Sequence, residues 1–194
     1  NRIIGLIFGG ILVASIFYIK QRKIEFKNTF IDIINDVDFN TERTKWQLKF
    51  AFVTTSAIMI GEFLHIPRAM WIGIACMSVF HPDKSQLQIR YKQRMLYMVL
   101  GCLMYMSIYF LIPQQFRGLI GLIGGVMIGF SGTYKWQTVF NAFGALSAAT
   151  PILGFGGAII FRILNNVFGA LYSKGFDYII NFIDNKEFAN VNEA

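Results

Sequence analysis

Residues 136–172 read WQTVFNAFGALSAATPILGFGGAIIFRILNNVFGALY, and Arg162 is the only charged residue among these 37. A bilayer core of about 30 Å requires about 20 predominantly apolar residues for one helical crossing, so this stretch is long enough for two crossings. Pro151 divides it into two segments. We therefore predict two consecutive membrane helices here, with one arginine inside the second.

The rest of the chain repeats this pattern of long runs without charge. Only 15% of its 194 residues are charged, and the mean hydropathy is +0.49. Soluble domains average about 25% charged residues. The other charge-free runs are residues 3–19, 69–82, 95–116 and 118–134. This composition excludes a water-soluble globule, a disordered chain and a nucleic-acid-binding domain. It predicts an all-α, polytopic membrane protein with about seven transmembrane helices in a lipid bilayer.

The apolar and polar stretches predict four parts. Residues 1–19 form a lead helix, interpreted as the last helix of a preceding, missing half, and residues 20–45 form a cytoplasmic amphipathic linker. Residues 46–173 form a six-helix membrane domain, and residues 174–194 form a cytoplasmic tail. The six predicted segments of the membrane domain are Trp46–Leu64, Ala69–Phe80, Arg94–Ile112, Phe116–Phe130, Trp136–Ala149 and Ile152–Tyr172. In the linker, apolar residues recur at helical spacing over residues 24–38.

The distribution of Lys and Arg predicts the orientation of the chain. The loops on one side of the predicted bundle, together with the tail, carry 14 basic residues, and the opposite loops carry only Arg68 and Arg117. Cytoplasmic loops of membrane proteins are enriched in Lys and Arg. We therefore predict a multi-pass protein of the cell membrane with a cytoplasmic C-terminus.

The sequence of the lead helix is similar to a segment near the end of the chain, as in an internal repeat. Residues 2–10 align without gaps to residues 162–170, an offset of 160, with coinciding Arg, Ile, Phe and Gly. Repeated halves are a recurrent architecture of transporters. The internal repeat predicts that the lead helix and the last membrane helix occupy equivalent positions in the two halves of the protein.

Arg162 is the strongest candidate for a functional residue. A charge near the bilayer centre costs about 3 kcal/mol on insertion scales, so it needs a partner. Glu62 is the only acidic residue inside an apolar segment and is the candidate ion-pair partner. The alternative is that Arg162 binds an anion, with Asn165 and Asn166 adding amide donors. No P-loop, nucleophile elbow or metal-ligand spacing occurs, so we predict no enzyme activity, no metal and no cofactor.

A basic loop precedes the third membrane segment. Arg90 and Arg94 lie four residues apart, on one face of a predicted helix. The loop and its surroundings resemble the fusaric acid resistance family, also called the aromatic acid exporters. The residues similar to the family pattern are Pro67-Arg-Ala-Met-Trp71, His81-Pro82, Arg90, Arg94 and Gly101, whereas Tyr97-Met98 replaces a family Gly-Thr pair.

The resemblance implies a six-helix unit that exports aromatic or other organic carboxylate anions by secondary transport. The candidate substrate-binding residues are Arg162, Asn165, Asn166, Arg90, Arg94 and Trp71. The alternative is a non-transporting membrane subunit or scaffold that binds a partner protein in the cell envelope. A homo-oligomer or a complex with another membrane protein is expected in either case.

Overall fold

A computed structural model describes residues 2–24, 31–32 and 41–192. These residues form helices and turns, and no strand occurs among them, so the predicted all-α class is confirmed. The contacts divide the chain into two compact units, Asn1–Thr44 and Lys45–Ala194. The predicted amphipathic helix over residues 24–38 lies for the most part outside the described residues.

The first unit contains helix α1, Arg2–Gln21. Its sequence is apolar almost throughout, and Lys20 in the last turn interacts favourably with the negative end of the helix dipole. The apolar side chains that the structure describes in α1 are exposed, Phe8 at 68% for example. The predicted repeat relation between α1 and the last helix stays a prediction.

Helix α2, Glu42–Phe63, begins at the end of the first unit and continues into the second. The Thr41 hydroxyl accepts a hydrogen bond from the Thr44 N–H at 3.3 Å, which caps the first turn. At the other end, His65 takes a left-handed conformation with φ 53°. The N–H of Ile66 donates to the Gly61 carbonyl and that of His65 to the Glu62 carbonyl, as in a Schellman motif. The chain then turns into the short helix α3, Met70–Val79.

Helix α4, Lys84–Leu111, is long and starts earlier than predicted. The Asp83 carboxylate caps it by accepting the Ser85 N–H at 2.8 Å. The charged turns from Lys84 to Gln93 belong to this helix rather than to a loop. A 3-10 turn, Gln114–Phe116, leads to helix α5, Leu119–Phe130.

The two segments predicted within residues 136–172 belong to one long helical run, α6, Tyr134–Asn192. The run is interrupted at Gly154, where φ is 72° and ψ is 165°. Only glycine adopts this conformation readily, so the break falls here and not at Pro151. The run also continues through the segment predicted as a separate tail.

Helix α6 organises the second unit, because α3, α4 and α5 all pack against it. Glycines permit the close approaches: a Cβ atom on Gly169 would collide with the backbone of Ile72 in α3, and one on Gly101 would lie 2.7 Å from the Val139 oxygen. One apolar core surrounds Tyr105 and Leu146, and a second surrounds Val53 and Leu87.

Two helical stretches in the described residues are long and apolar enough to cross a membrane, Lys84–Leu111 and Tyr134–Ile180. Three shorter apolar helices accompany them, Ile7–Gln21, Met70–Val79 and Leu119–Phe130. The predicted number of seven transmembrane helices is therefore not confirmed.

Candidate functional site

Arg162 lies in α6, two helical turns after the interruption at Gly154, with only 1% of its surface exposed. Its guanidinium carbon lies 4.9 Å from the centre of the Trp71 ring in α3. This cation–π contact orients the guanidinium plane. The Nε, Nη1 and Nη2 atoms of Arg162 have no hydrogen-bond partner among the described residues. A buried cation with all its donors unpaired is costly, and an anionic ligand would satisfy it.

A second buried arginine lies beside the first. Arg94 in α4 is 2% exposed, and its Nε donates to the Oδ1 of Asn166 in α6 at 2.9 Å. The Nδ2 of Asn166 donates in turn to the Arg162 carbonyl at 2.7 Å. These bonds fix the Arg94 side chain, while its Nη2 has no partner in the described part of the chain. We call Trp71, Arg94, Arg162 and Asn166 the cationic cluster.

The two guanidinium groups interact unfavourably with each other. Arg94 and Cys102 are the titratable groups that act electrostatically on Arg162 in the described structure, and neither is a carboxylate. Arginine stays protonated in proteins, so the cationic cluster holds two positive charges. Its arrangement suits the binding of an anion.

The predicted ion pair between Glu62 and Arg162 is wrong. Glu62 is exposed, and Arg162 makes no hydrogen bond with any described residue. The reason lies in the geometry of α2: Ala57 and Gly61 face the core, and a Cβ atom on Gly61 would lie 2.9 Å from the Cβ of Ala69. Glu62 is the next residue along the helix and points about 100° away from that face.

The other candidate residues have separate positions. The buried Asn165 donates its Nδ2 to the carbonyls of Pro67 and Arg68, at 2.9 and 3.1 Å. Its amide therefore holds the connection between α2 and α3. Arg90 is half-buried, one turn before Arg94, and its guanidinium carbon lies 5.5 Å from the centre of the Tyr134 ring.

Tyr134 is a residue that sequence reasoning missed. Its hydroxyl donates to the Ser78 Oγ at 3.1 Å, its ring supports Arg90, and it also interacts with Arg94. It thereby joins the ends of α3, α4 and α6 next to the cationic cluster. Its position at the end of a charge-free run, directly before Lys135, was the available signal.

The described residues form an all-helical fold with a buried cationic site. The family model described as fusaric acid resistance protein-like matches residues 56–173, more than half of the chain. The chain belongs to this family, which is one of membrane transport proteins, and the predicted resemblance is confirmed. The matched residues include the whole cationic cluster. Neither a curated protein nor a solved structure matches the chain.

Proposed function

We propose that this protein is a secondary transporter that exports organic carboxylate anions across the cell membrane. The observation that carries the proposal is the Arg162 guanidinium, which is buried and has three unpartnered nitrogens in the described structure. Membership of a membrane transport family supports the same function. Arg162 binds the carboxylate of the substrate in this proposal.

The chemistry of the cationic cluster favours a carboxylate. A guanidinium offers parallel N–H groups that match the two oxygens of a carboxylate, and such bidentate bonds are strong and directional. The Trp71 ring contacts the Arg162 guanidinium, and the three guanidinium nitrogens have no hydrogen-bond partner in the described structure. A carboxylate that reaches them would supply the missing hydrogen bonds.

The arginines also provide a route to the site. Arg90 is half-buried near the start of α4, Arg94 is buried one turn further on, and Arg162 interacts with Arg94. We propose that anions enter at Arg90 from the cytoplasm, in line with the predicted orientation. A series of cations attracts an anion and raises its local concentration.

The proposed membrane architecture uses all the helices. The interruption at Gly154 divides α6 into two segments, so that α1–α5 and these two make seven. We propose that all seven lie in the bilayer, with the C-terminus in the cytoplasm. Lipid would then cover the exposed apolar side chains, for example Leu96 and Leu122. Assembly with a second copy or another membrane protein is part of this proposal.

The test is transport of labelled carboxylates by the full-length protein in proteoliposomes. A panel of aromatic and aliphatic carboxylates is loaded, and efflux is measured for the wild type, Arg162→Met and Arg117→Met. Arg117 is the matched control, because its guanidinium also lies on an aromatic ring, at 4.2 Å from the centre of Tyr109, but outside the cationic cluster. We expect Arg162→Met to abolish efflux and Arg117→Met to retain it.

Two results would contradict the proposal. Wild-type efflux equal to that of empty vesicles over the whole panel, with carboxylates still raising the melting temperature, would favour the non-transporting membrane subunit. Equal efflux from the wild type and Arg162→Met would remove Arg162 from the transport site.

A further inference from the structure

We infer that the anion bound by the cationic cluster is a dianion, with one anionic group on Arg162 and a second on Arg94. This inference rests on the proposed function and specifies the class of its substrate. It comes from the number of buried charges and from the positions of the free donors.

The cationic cluster holds two buried positive charges that need two negative charges to balance them. Arg94 and Arg162 are 2% and 1% exposed, and both keep their charge because guanidinium is not deprotonated in proteins. The titratable groups that act on Arg162 are Arg94 and Cys102, and Arg94 interacts with the Tyr134 side chain, so no described carboxylate offsets either charge. A monoanion would leave one buried cation uncompensated, and such a charge is strongly unfavourable. A dianion neutralises both.

Both arginines have guanidinium nitrogens without a hydrogen-bond partner in the described structure. Arg162 has Nε, Nη1 and Nη2 unpartnered within the described structure, which is enough for a bidentate carboxylate. Arg94 uses Nε for Asn166 and retains an unpartnered Nη2. The donors therefore form two groups on two side chains, and one carboxylate on Arg162 leaves the Arg94 Nη2 unpaired.

Contacts with neighbouring side chains hold both arginines in place. Asn166 accepts from the Arg94 Nε, the Tyr134 side chain also interacts with Arg94, and the Trp71 ring contacts Arg162. The Nη2 of Arg94 has no partner in the described structure, so an anionic group on Nη2 would leave the bond to Asn166 in place.

The experiment compares dicarboxylates with their monoamides, which have nearly the same shape but one negative charge less. Three pairs are used with the wild-type full-length protein at pH 8: succinate and succinamate, adipate and adipamate, terephthalate and terephthalamate. Binding is measured by titration calorimetry. For the pair of the best-fitting length, we expect the dicarboxylate to bind at least about thirtyfold more tightly, because the loss of one partner of a buried charge pair costs about 2 kcal/mol or more.

A variant assigns the second charge to Arg94. In Arg94→Gln, the dicarboxylate affinity should fall to that of the monoamide, whereas Arg117→Gln should keep the preference. Phenyl phosphate at pH 8 carries both charges on one group. If it binds more tightly than every dicarboxylate, the two-group arrangement is overturned and the ligand is a phosphate monoester.

The outcomes separate this inference from the proposed function. Equal affinities for dicarboxylate and monoamide in all three pairs would overturn the dianion inference and leave carboxylate transport intact. If none of these anions binds and none is transported, the proposed function fails as well. Because the pairs are compared in the wild type, the test of the dianion does not depend on whether Arg94→Gln folds.

Discussion

Arg162 and Arg117 both lie on aromatic rings, as Arg90 does, yet the surroundings of these two differ. Arg162 contacts Trp71 in the cationic cluster and is 1% exposed. Arg117 contacts Tyr109 and is only half-buried. The Tyr109 ring packs on Phe155 at 4.6 Å between ring centres, and Phe110 packs on Phe155 at 5.0 Å. We call Tyr109, Phe110, Arg117 and Phe155 the aromatic cluster.

The difference shows what makes an arginine a binding group. A cation–π contact contributes about 0.5–1 kcal/mol at an exposed position, where water still solvates the charge. In the aromatic cluster the Nε of Arg117 is also buried without a partner in the described structure, but the residue as a whole stays partly exposed and no second arginine acts on it there. In the cationic cluster, burial removes the water and Arg94 adds a like charge, so the same contact leaves Arg162 far from electrostatic balance.

The largest loss of stability is expected from a substitution at the contact between α3 and α6, which brings the cationic cluster together. Gly169→Ala would push a methyl group into the Ile72 backbone and to 2.8 Å from the Ala75 Cβ, forcing α3 away from α6. Overpacking of this kind costs about 3 kcal/mol. Trp71 lies in the same short helix as Ile72, so carboxylate binding should be lost as well. Thermal unfolding and titration calorimetry measure the two effects.

Gly125→Ala in α5 is the matched control for Gly169→Ala. Nothing lies within 4 Å of a Cβ atom at Gly125, so the substitution should stabilise the helix slightly and leave binding unchanged. If Gly169→Ala binds carboxylates with wild-type affinity, the cationic cluster does not depend on the close approach of α3 and α6.

The second prediction uses the stability of the protein without ligand. Arg162→Met removes a buried charge that no described carboxylate offsets, so it should raise the free energy of unfolding by about 1 kcal/mol. Arg117→Met removes a favourable contact and should lower it by about 0.5–1 kcal/mol. Chemical unfolding in detergent micelles measures both changes.

Opposite signs would support the contrast between the two clusters. A loss of several kcal/mol in Arg162→Met would mean that Arg162 already has a partner within the folded protein. In that case it would contribute to stability in the same way as Arg117.

Much of the fold could be predicted from the apolar runs of the sequence, but the charged first turns of α4 could not. Helices α3 and α5 lie close to the predicted segments, because long runs without charge determine them. Helix α2 starts in charged residues at Glu42, ahead of the predicted start at Trp46. The prediction began the third segment at Arg94, since charged residues end an apolar run, whereas α4 already starts at Lys84. The break in α6 follows backbone conformation at Gly154, which apolarity does not report.

The site was predictable in its charges and not in its contacts. A lone arginine inside an apolar run indicated Arg162. The sequence could not place Glu62, because one residue along a helix decides whether a side chain faces the core or the surface. The contact between Arg162 and Trp71 depends on how α3 crosses α6, and no local pattern contains that information.

The smallest effect concerns pH and the start of α4. Hydrogen bonds from the Ser85 hydroxyl and backbone N–H hold the pKa of the Asp83 carboxyl below its ordinary value. A lowered pKa in the folded state means that the cap stabilises fully above about pH 4 and is lost as the pH falls through the folded pKa. We therefore expect the protection of the Ser85–Leu87 amides against hydrogen exchange, relative to their intrinsic rates, to fall at pH 3.

Asp83→Asn separates the charge from the cap. Asparagine caps helices about as well as aspartate but does not titrate, so the extra exchange at pH 3 should disappear in this variant.

The cationic cluster holds no group that titrates between pH 3 and 7, so a permanently ionised sulfonate should bind with the same affinity over that range. An affinity for the sulfonate that changes tenfold between pH 3 and 7 in Asp83→Asn would mean that a titrating group, and not only the two arginines, sets the charge of the site.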